Sequence, residues 1–398
     1  MVEKNKPSLR YEEFTDAWEQ RKLGDLVIDV SRPLKMVDDD IYQLVTVKRR
    51  NGGIVSRGVY KGSEVLVKSQ FIIRTGDYLI SKRQVVHGAN GIVPEYLDGS
   101  IVSNEYLVLH GNKDLNIEFF SLISELPSMY KNYFLSSYGV DIEKLVFNVP
   151  DWKRRRISIP SISEQNKITS FINVVNNTIA LHHRKYEKLK QIKKALLIQM
   201  FPQNGTDEPE LRLNGFEEAW EQRKLGDCFR ERNERTSEGE LISVTINSGV
   251  VKASSLKRKD SSSEDKSKYK KVEVGDIAYN SMRMWQGASG VSNYTGIVSP
   301  AYTVIIPNSG ICSLFFSYQF KRTEMIRAFQ INSQGLTSDT WNLKFPLLKD
   351  IKVLVPTYEE QIKIGSFFKQ LDDTIALQHR KYEKLKQIKK TLLQVLFV

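Results

Sequence analysis

TIALHHRKYEKLKQIKKALL (178–197) returns as TIALQHRKYEKLKQIKKTLL (374–393), with eighteen of twenty positions identical. No Gly or Pro interrupts 163–201 around the first copy, and around the second only Gly365 falls within 358–398. Apolar side chains recur at three- and four-residue steps, the spacing of one helical face. Ile172, Val175, Ile179, Tyr186, Leu189, Leu196 and Met200 make one stripe, and Phe368, Leu371, Ile375, Tyr382, Leu385, Leu392 and Leu396 the other. Each reads as a coiled-coil seam interrupted at two places, His182 or Gln378 and Lys193 or Lys389. Polar seam residues fix register and orientation at a cost in stability. Two such seams in one chain pack most simply on each other. Ser161 with Glu164, and Thr357 with Glu360, have capping-box spacing directly after Pro160 and Pro356, and Pro202 is a stop for the first helix.

A second echo lies upstream of each helix. FTDAWEQRKLGD (14–25) matches FEEAWEQRKLGD (216–227), and the preceding PSLR at Pro7 matches PELR at Pro209. The shared string predicts a packing and docking piece anchored by Trp18 and Trp220. Strand-like runs follow at 41–47, 64–73 and 77–81 in the first copy, and at 241–247 and 275–281 in the second. Gly76-Asp77 and Gly275-Asp276 read as one turn; otherwise 26–98 and 228–294 share little. From Gly99 onward a constant offset of 196 residues pairs Ile101, Ser103, Tyr106, Phe119, Phe120, Ser137 and Gly139 with Ile297, Ser299, Tyr302, Phe315, Phe316, Ser333 and Gly335. The chain is therefore two copies of one α+β unit. The expected partition is a first mixed α/β domain over 1–160, a long helix over 161–201, a polar linker over 202–208, a second domain over 209–356 and a second long helix over 357–398.

Composition narrows the function class. The 398 residues are 40% hydrophobic and 27% charged, an ordinary globular balance, with no apolar run fit to span a bilayer and no apolar signal region at the start. A soluble, cytoplasmic protein without a membrane role is expected. Cys228 and Cys312 lie far apart without metal-ligand spacing, so both read as buried or incidental thiols, consistent with a reducing compartment. A formal net charge of +12 favours a polyanionic partner. Against this, chemistry is missing: no Gly-rich phosphate loop, no metal-ligand cluster, no Asn-Pro-Pro-aromatic string of an amino-methyltransferase. Pro150-Asp151 lacks the acidic and Lys residues of a nuclease site. His87 and His110 show no acid or nucleophile partner in the sequence, and His182, His183 and His379 lie on the long helices.

What remains is a duplicated basic binding protein. Its candidate DNA contacts sit in the divergent stretches: Lys48, Arg49, Arg50, Asn51, Arg57, Lys82, Arg83 and Gln84 in the first copy, and Lys257, Arg258, Lys259, Arg283, Trp285 and Gln286 in the second. Lys268, Lys270 and Lys271 add a further basic cluster. Arg, Asn and Gln make bidentate contacts with base edges, whereas Lys mostly neutralises phosphate. No catalytic or metal-binding residue is assigned.

The order of parts resembles the specificity subunit of type I restriction-modification systems over essentially the whole length. The residues that carry the likeness are the Trp18 and Trp220 strings with their trailing Lys-Leu-Gly-Asp, and ISIPSISEQNKI (157–168) with VLVPTYEEQIKI (353–364), each leading a proline-ended strand into a long helix. The resemblance implies two target recognition domains, each reading one half of a split double-stranded DNA sequence. It also implies two helices forming an antiparallel coiled-coil spacer with pseudo-twofold symmetry. Implied partners are two modification subunits that carry S-adenosylmethionine and methylate adenine, and restriction subunits that use ATP and Mg; this chain would bind no cofactor itself. The alternative is a stand-alone sequence-specific DNA-binding regulator.

Overall fold

A computed structural model describes residues 6–203, 205–256 and 262–397. The chain divides into two compact units, one of residues 1–181 with 382–398, the other of residues 182–381. Both long helices therefore pass from one unit into the other: Ile162–Gln199 after Leu181, and Tyr358–Val395 after Lys381.

In the first unit a four-stranded antiparallel sheet runs in the order Val27–Asp29, Tyr106–Gly111, Tyr78–Ser81, Asn90–Ile92. A second sheet orders Pro33–Leu34, Gln70–Ile72, Ile101–Ser103, Ile41–Val47 and Ile54–Lys61, its one parallel pairing being Leu44 with Ile101. The strand expected over 64–73 forms only at Gln70–Ile72. Gly62–Glu64 is instead a helical turn, with the Glu64 carboxylate accepting from the Lys61 amide, and Leu66 stands in solvent. Within that run Val65 is buried, whereas Leu66 and Val67 are exposed.

The second unit repeats the plan. Phe229–Glu231, Tyr302–Pro307, Ile277–Asn280 and Ser289–Val291 give the same four-strand order. The counterpart of the larger sheet breaks into the pairs Ile242–Thr245 with Gly249–Lys252 and Lys270–Val272 with Gly296–Val298, joined by a parallel bridge from Leu241 to Ile297. Stretches that share little sequence thus share their topology. In each unit the strand after the repeated Trp pairs antiparallel with the strand that leads into the long helix, Glu19–Lys22 with Arg156–Ile159 and Glu221–Lys224 with Lys352–Val355.

The repeated residues build the joint between domain and helix. Trp18 and Trp220 are buried. Arg10 forms a two-pronged ion pair with the buried Glu164 at 2.8 and 2.7 Å, and Arg212 does the same with Glu360 at 3.0 and 2.9 Å; each pairing raises the guanidinium pKa. The capping-box expectation is thereby half met. Ser161 Oγ and Thr357 Oγ1 accept long 3.4 Å bonds from the Glu164 and Glu360 amides, but each carboxylate turns to its arginine instead of back to the helix start. The neighbouring Gln165 donates to the Pro160 and Asp114 carbonyls and accepts from the Asn116 amide; Gln361 does likewise with Pro356, Gly310 and Cys312.

Each core is closed by a helix end. Leu396 and Phe397 lie in the first unit's core, where the Phe397 ring sits 6.2 Å from Trp18 and 5.6 Å from Phe119. Met200 and Phe201 lie in the second, with Phe201 5.8 Å from Trp220 and 5.4 Å from Phe315. Two helix ends that share a phenylalanine fill two sockets that share a tryptophan and a phenylalanine.

Candidate functional site

The candidate contacts of the first copy gather around one turn. After the strand Tyr78–Ser81 the chain makes the helical turn Val85–His87 and stops at Gly88, φ 72°, a left-handed conformation that favours glycine. The hairpin tip between Ile41–Val47 and Ile54–Lys61 is tied to this turn through the backbone: the Arg50 amide donates to the His87 carbonyl at 2.7 Å, and the Asn51 amide to that of Gly88 at 2.9 Å. Arg50 and Asn51 both have positive φ, 59° and 53°, a pairing of a type I′ turn that non-glycine residues adopt at some cost. Both residues are exposed at the tip, and the Asn51 carboxamide lies against Gly88.

Around this tip the side chains interlock. Arg49 Nε donates to Gln84 Oε1 at 2.7 Å, and its other end pairs with Glu143 at 2.6 Å. His87 Nε2 stands 3.6 Å from Glu143. Arg83 pairs with Glu105 at 2.9 Å, and Lys82 Nζ donates to the Asn104 carbonyl at 2.7 Å. A cleft of about 430 Å³ opens among Arg49, Arg50, Asn51, His87, Asn90 and Glu143. Lys48 and Arg50 have no side-chain partner among the described residues. Arg57 is exposed farther along the second hairpin strand and joins none of these contacts.

The second unit carries the same frame with other side chains. Asp276 corresponds to Asp77, and the turn Met284–Gln286 ends at Gly287, φ 81°, as Val85–His87 ends at Gly88. Arg283, Trp285 and Gln286 therefore stand where Gln84, Val86 and His87 stand. Trp285 packs edge-on against Trp341 at 5.2 Å. Lys321 Nζ bonds to the carbonyl of Gly287 and, at 3.3 Å, to that of Ile246 on the neighbouring hairpin tip; burial and the nearby Lys193 charge push it down to about 8. Lys257, Arg258 and Lys259 lie outside the described residues. Lys270 and Lys271 are held in ion pairs with Glu231, Glu234 and Glu273.

Both aspartates at the repeated turn are buried anchors. Asp77 takes a fork from Arg32 at 2.7 and 3.1 Å, and Asp276 one from Arg232 at 2.8 and 3.1 Å. His110 Nε2 also meets Asp77, and His87 has Glu143, so both histidines have acidic neighbours that the sequence did not show. Neither has a nucleophile beside it in these contacts. Among the described residues no group of three His, Cys, Asp or Glu could hold a metal ion, and no helix is long and apolar enough to cross a membrane. Cys228 and Cys312 are free thiols, and burial pushes that of Cys228 up to about 11.

All sixteen seam positions are at least partly buried: Ile172, Val175, Ile179, His182, Tyr186, Leu189, Lys193 and Leu196 on one helix, and Phe368, Leu371, Ile375, Gln378, Tyr382, Leu385, Lys389 and Leu392 on the other. In the second unit the helix segments run antiparallel, with His182 Nδ1 2.8 Å from Gln378 Oε1, the Tyr186 and His379 rings tilted against each other at 5.0 Å, and Lys193 paired with Asp372 at 2.6 Å. In the first unit Lys389 faces Glu125 at 3.9 Å.

A duplicated domain, a repeated domain–helix joint and divergent basic turns on a common frame are matched by one family over both copies. The type I restriction modification DNA specificity domain aligns with residues 15–191 and again with 217–387. The chain belongs to this family. Its fold is also that of the type I restriction-modification system S subunit from M. genitalium, at 14% identity over 99% of each chain with a TM-score of 0.60. A chain from a study of complex assembly and conformational transition of the type I system matches at 16% identity, over 96% of this chain and 98% of that one, with a TM-score of 0.51. Sequence specificity toward DNA within type I restriction-modification is thus the activity class of this chain.

Sequence reasoning missed Glu143, Lys321 and Trp341. The signal available for Glu143 and Trp341 was the 196-residue offset, which already aligned Ser137 and Gly139 with Ser333 and Gly335 just ahead of them; none pointed to Lys321, whose partner at that offset is Glu125.

Proposed function

We propose that this chain is the non-catalytic address subunit of a type I restriction-modification complex, each unit reading one half of a bipartite, non-palindromic DNA sequence. The observation that carries the reading is one backbone frame with two sets of side chains. A hairpin tip leans on a glycine-ended turn in both units, but Arg49, Arg50, Asn51, Gln84 and His87 occupy it in one, and Ile246, Arg283, Trp285 and Gln286 in the other. Different donors and acceptors on equivalent turns select different bases. The long helices, 38 residues each and about 57 Å at 1.5 Å per residue, are the spacer. Half-sites on one face of DNA recur about every 34 Å, so helices of this length suffice to hold two readers a turn apart. Their basic outer faces, with Arg184, Lys185, Lys188 and Lys194 exposed, and the repeated joints offer equivalent docking to two modification subunits. S-adenosylmethionine belongs to those partners, ATP and Mg to the restriction subunits, and this chain binds none of them.

Genome-wide adenine methylation mapping in a host expressing the chain with its modification subunit tests the reading. The expected result is one split, asymmetric motif; a palindromic motif, or no motif, refutes it. Full specific affinity of the isolated chain, unchanged by modification subunits, would favour a stand-alone regulator.

A further inference from the structure

Beyond the turn and the hairpin tip, each unit brings a third element to the same place. After the helices Pro127–Leu135 and Thr323–Asn332 the chain loops out and back, closed by Ser137 and Tyr138 pairing with Phe147 and Val146 in one unit and by the Gln334–Asn342 bridge in the other. Both loops are tied to the residue that opens the reading turn by the same bond: the Phe147 amide donates to the Lys82 carbonyl at 3.0 Å, and the Leu343 amide to that of Ser281 at 2.8 Å. Side chains add a second tie, Arg49 to Glu143 in the first unit and Trp285 to Trp341 in the second.

At the tip of each loop stands a fully solvated aliphatic, Val140 at 107% and Leu336 at 102% relative exposure. Single exposed aliphatics are ordinary. These two differ in recurring at one position of two units whose reading turns diverge, and in the glycine before each. A Cβ on Gly335 would come within 2.6 Å of the Thr340 carbonyl oxygen, and one on Gly139 within 3.0 Å of that of Lys144. The loop folds tightly around its own return strand, which leaves the aliphatic pointing away from the domain.

We propose that Val140 and Leu336 are apolar wedges that enter the DNA groove at their respective half-sites and partly unstack one base step each. This rests on the DNA-reading function proposed above. DNA is favoured as the occupant over a protein because the ties of each loop lead to cationic reading elements. Lys48, Arg49 and Arg50 sit on the tip joined to Glu143, Lys82 on the residue joined to Phe147, and Arg283 two residues past Ser281. Cations that engage phosphates bring an apolar tip down on the bases between them, where an aliphatic side chain inserts between steps and bends the duplex. Val and Leu have no polar atom to satisfy there.

The test uses the chain assembled with its modification subunits and duplexes of the mapped motif, with 2-aminopurine placed in turn at each step of both half-sites. With the target adenine itself left unsubstituted, because the modification subunits take that base out of the stack, wild type is expected to raise fluorescence at one other step in each half. Val140→Ser should abolish the rise in one half only and Leu336→Ser in the other only, each weakening binding about tenfold or more, as expected from losing the burial of one aliphatic side chain. Val140→Ile and Leu336→Met should retain both signals. Specific wild-type binding with no fluorescence rise, or Ser variants of unchanged affinity and signal, overturns the wedge. So does loss of modification subunits from the Ser variants with DNA contacts intact, which would make the tips protein-docking surfaces. If wild type binds no sequence specifically, the proposed function itself fails and takes the wedge with it.

Discussion

Phe397→Ala and Phe201→Ala probe which core each helix end completes. Phe397 is 8% exposed between Trp18 and Phe119; Phe201 is fully buried between Trp220, Phe315 and Phe368. Removing a buried phenylalanine costs about 3–5 kcal/mol. Phe397 belongs at the lower end, about 3 kcal/mol, because the last turn of a helix can relax into part of the void. Phe201 belongs at the upper end: the Arg322 guanidinium lies 5.0 Å over its ring and donates to the Pro202 carbonyl at 2.8 Å, so truncation disturbs a buried cation as well. Against a typical domain stability of about 5–15 kcal/mol either loss is large. The assay is hydrogen exchange resolved by segment. At about 1.4 kcal/mol per tenfold, Phe397→Ala should speed the slowest amides of Ile117–Ile123 and Tyr78–Ser81 roughly a hundredfold and leave Ser313–Gln319 unchanged. Phe201→Ala should do the reverse, loosening Ser313–Gln319 and Ile277–Asn280 although the helix that carries it follows the other domain. If Phe201→Ala loosens the domain that precedes it in sequence, the assignment of helix ends to sockets is wrong.

Three further outcomes follow from the same contacts. Lys321 has its ordinary pKa of 10.5 lowered to about 8, so between those values the folded chain holds fewer protons than the unfolded one. The second unit should therefore gain stability as pH rises from about 8 to about 10.5, and Lys321→Met should flatten that segment of a plot of urea midpoint against pH. Glu360→Gln breaks the buried fork with Arg212 and should cost about 3–5 kcal/mol in the second unit, whereas the paired replacement Arg212→Met with Glu360→Met should recover most of it by thermal denaturation; equal losses would deny the pairing. Exchange of residues 26–160 for those of a relative should change one half of the methylated sequence, and one heptad added to both helices should lengthen its spacer; methylation mapping reads both.

The sequence made the duplication legible because helix and socket had to stay alike. Thr178 to Leu197 and its copy carry a stripe whose polar breaks can be seen without coordinates, and His182 and Gln378 do meet. Periodicity did not reveal that each helix serves two units, because a stripe marks a buried face without naming what buries it. The reading frame was hidden for another reason. An offset of 196 residues holds from Gly99 on but becomes 199 between Asp77 and Asp276, so Gly88 and Gly287 fall out of register and the two turns look unrelated. Their common left-handed backbone, at the same place in the same strand order, identifies them as one structure. The ion pair of Arg10 with Glu164 was likewise out of reach, since local spacing made the glutamate a capping residue and only the fold brings an arginine from 154 residues away.

That frame explains how two domains can diverge on one scaffold. The contacts that repeat between units fall into two kinds. In the joint they are side-chain contacts, Trp18 and Trp220 on phenylalanines, Arg10 and Arg212 on glutamates, and a change at either partner leaves a void or a buried charge. At the hairpin-and-turn face the repeated tie is a backbone bond, Phe147 to Lys82 and Leu343 to Ser281, which any non-proline residue can make. Substitution at the face therefore alters what is offered to a base while the turn keeps its place, and substitution at the joint unseats the helix. Divergence is confined by this division to the hairpin-and-turn face, and the two helix ends keep a common phenylalanine, Phe201 and Phe397, because both must fit a socket whose walls are side chains.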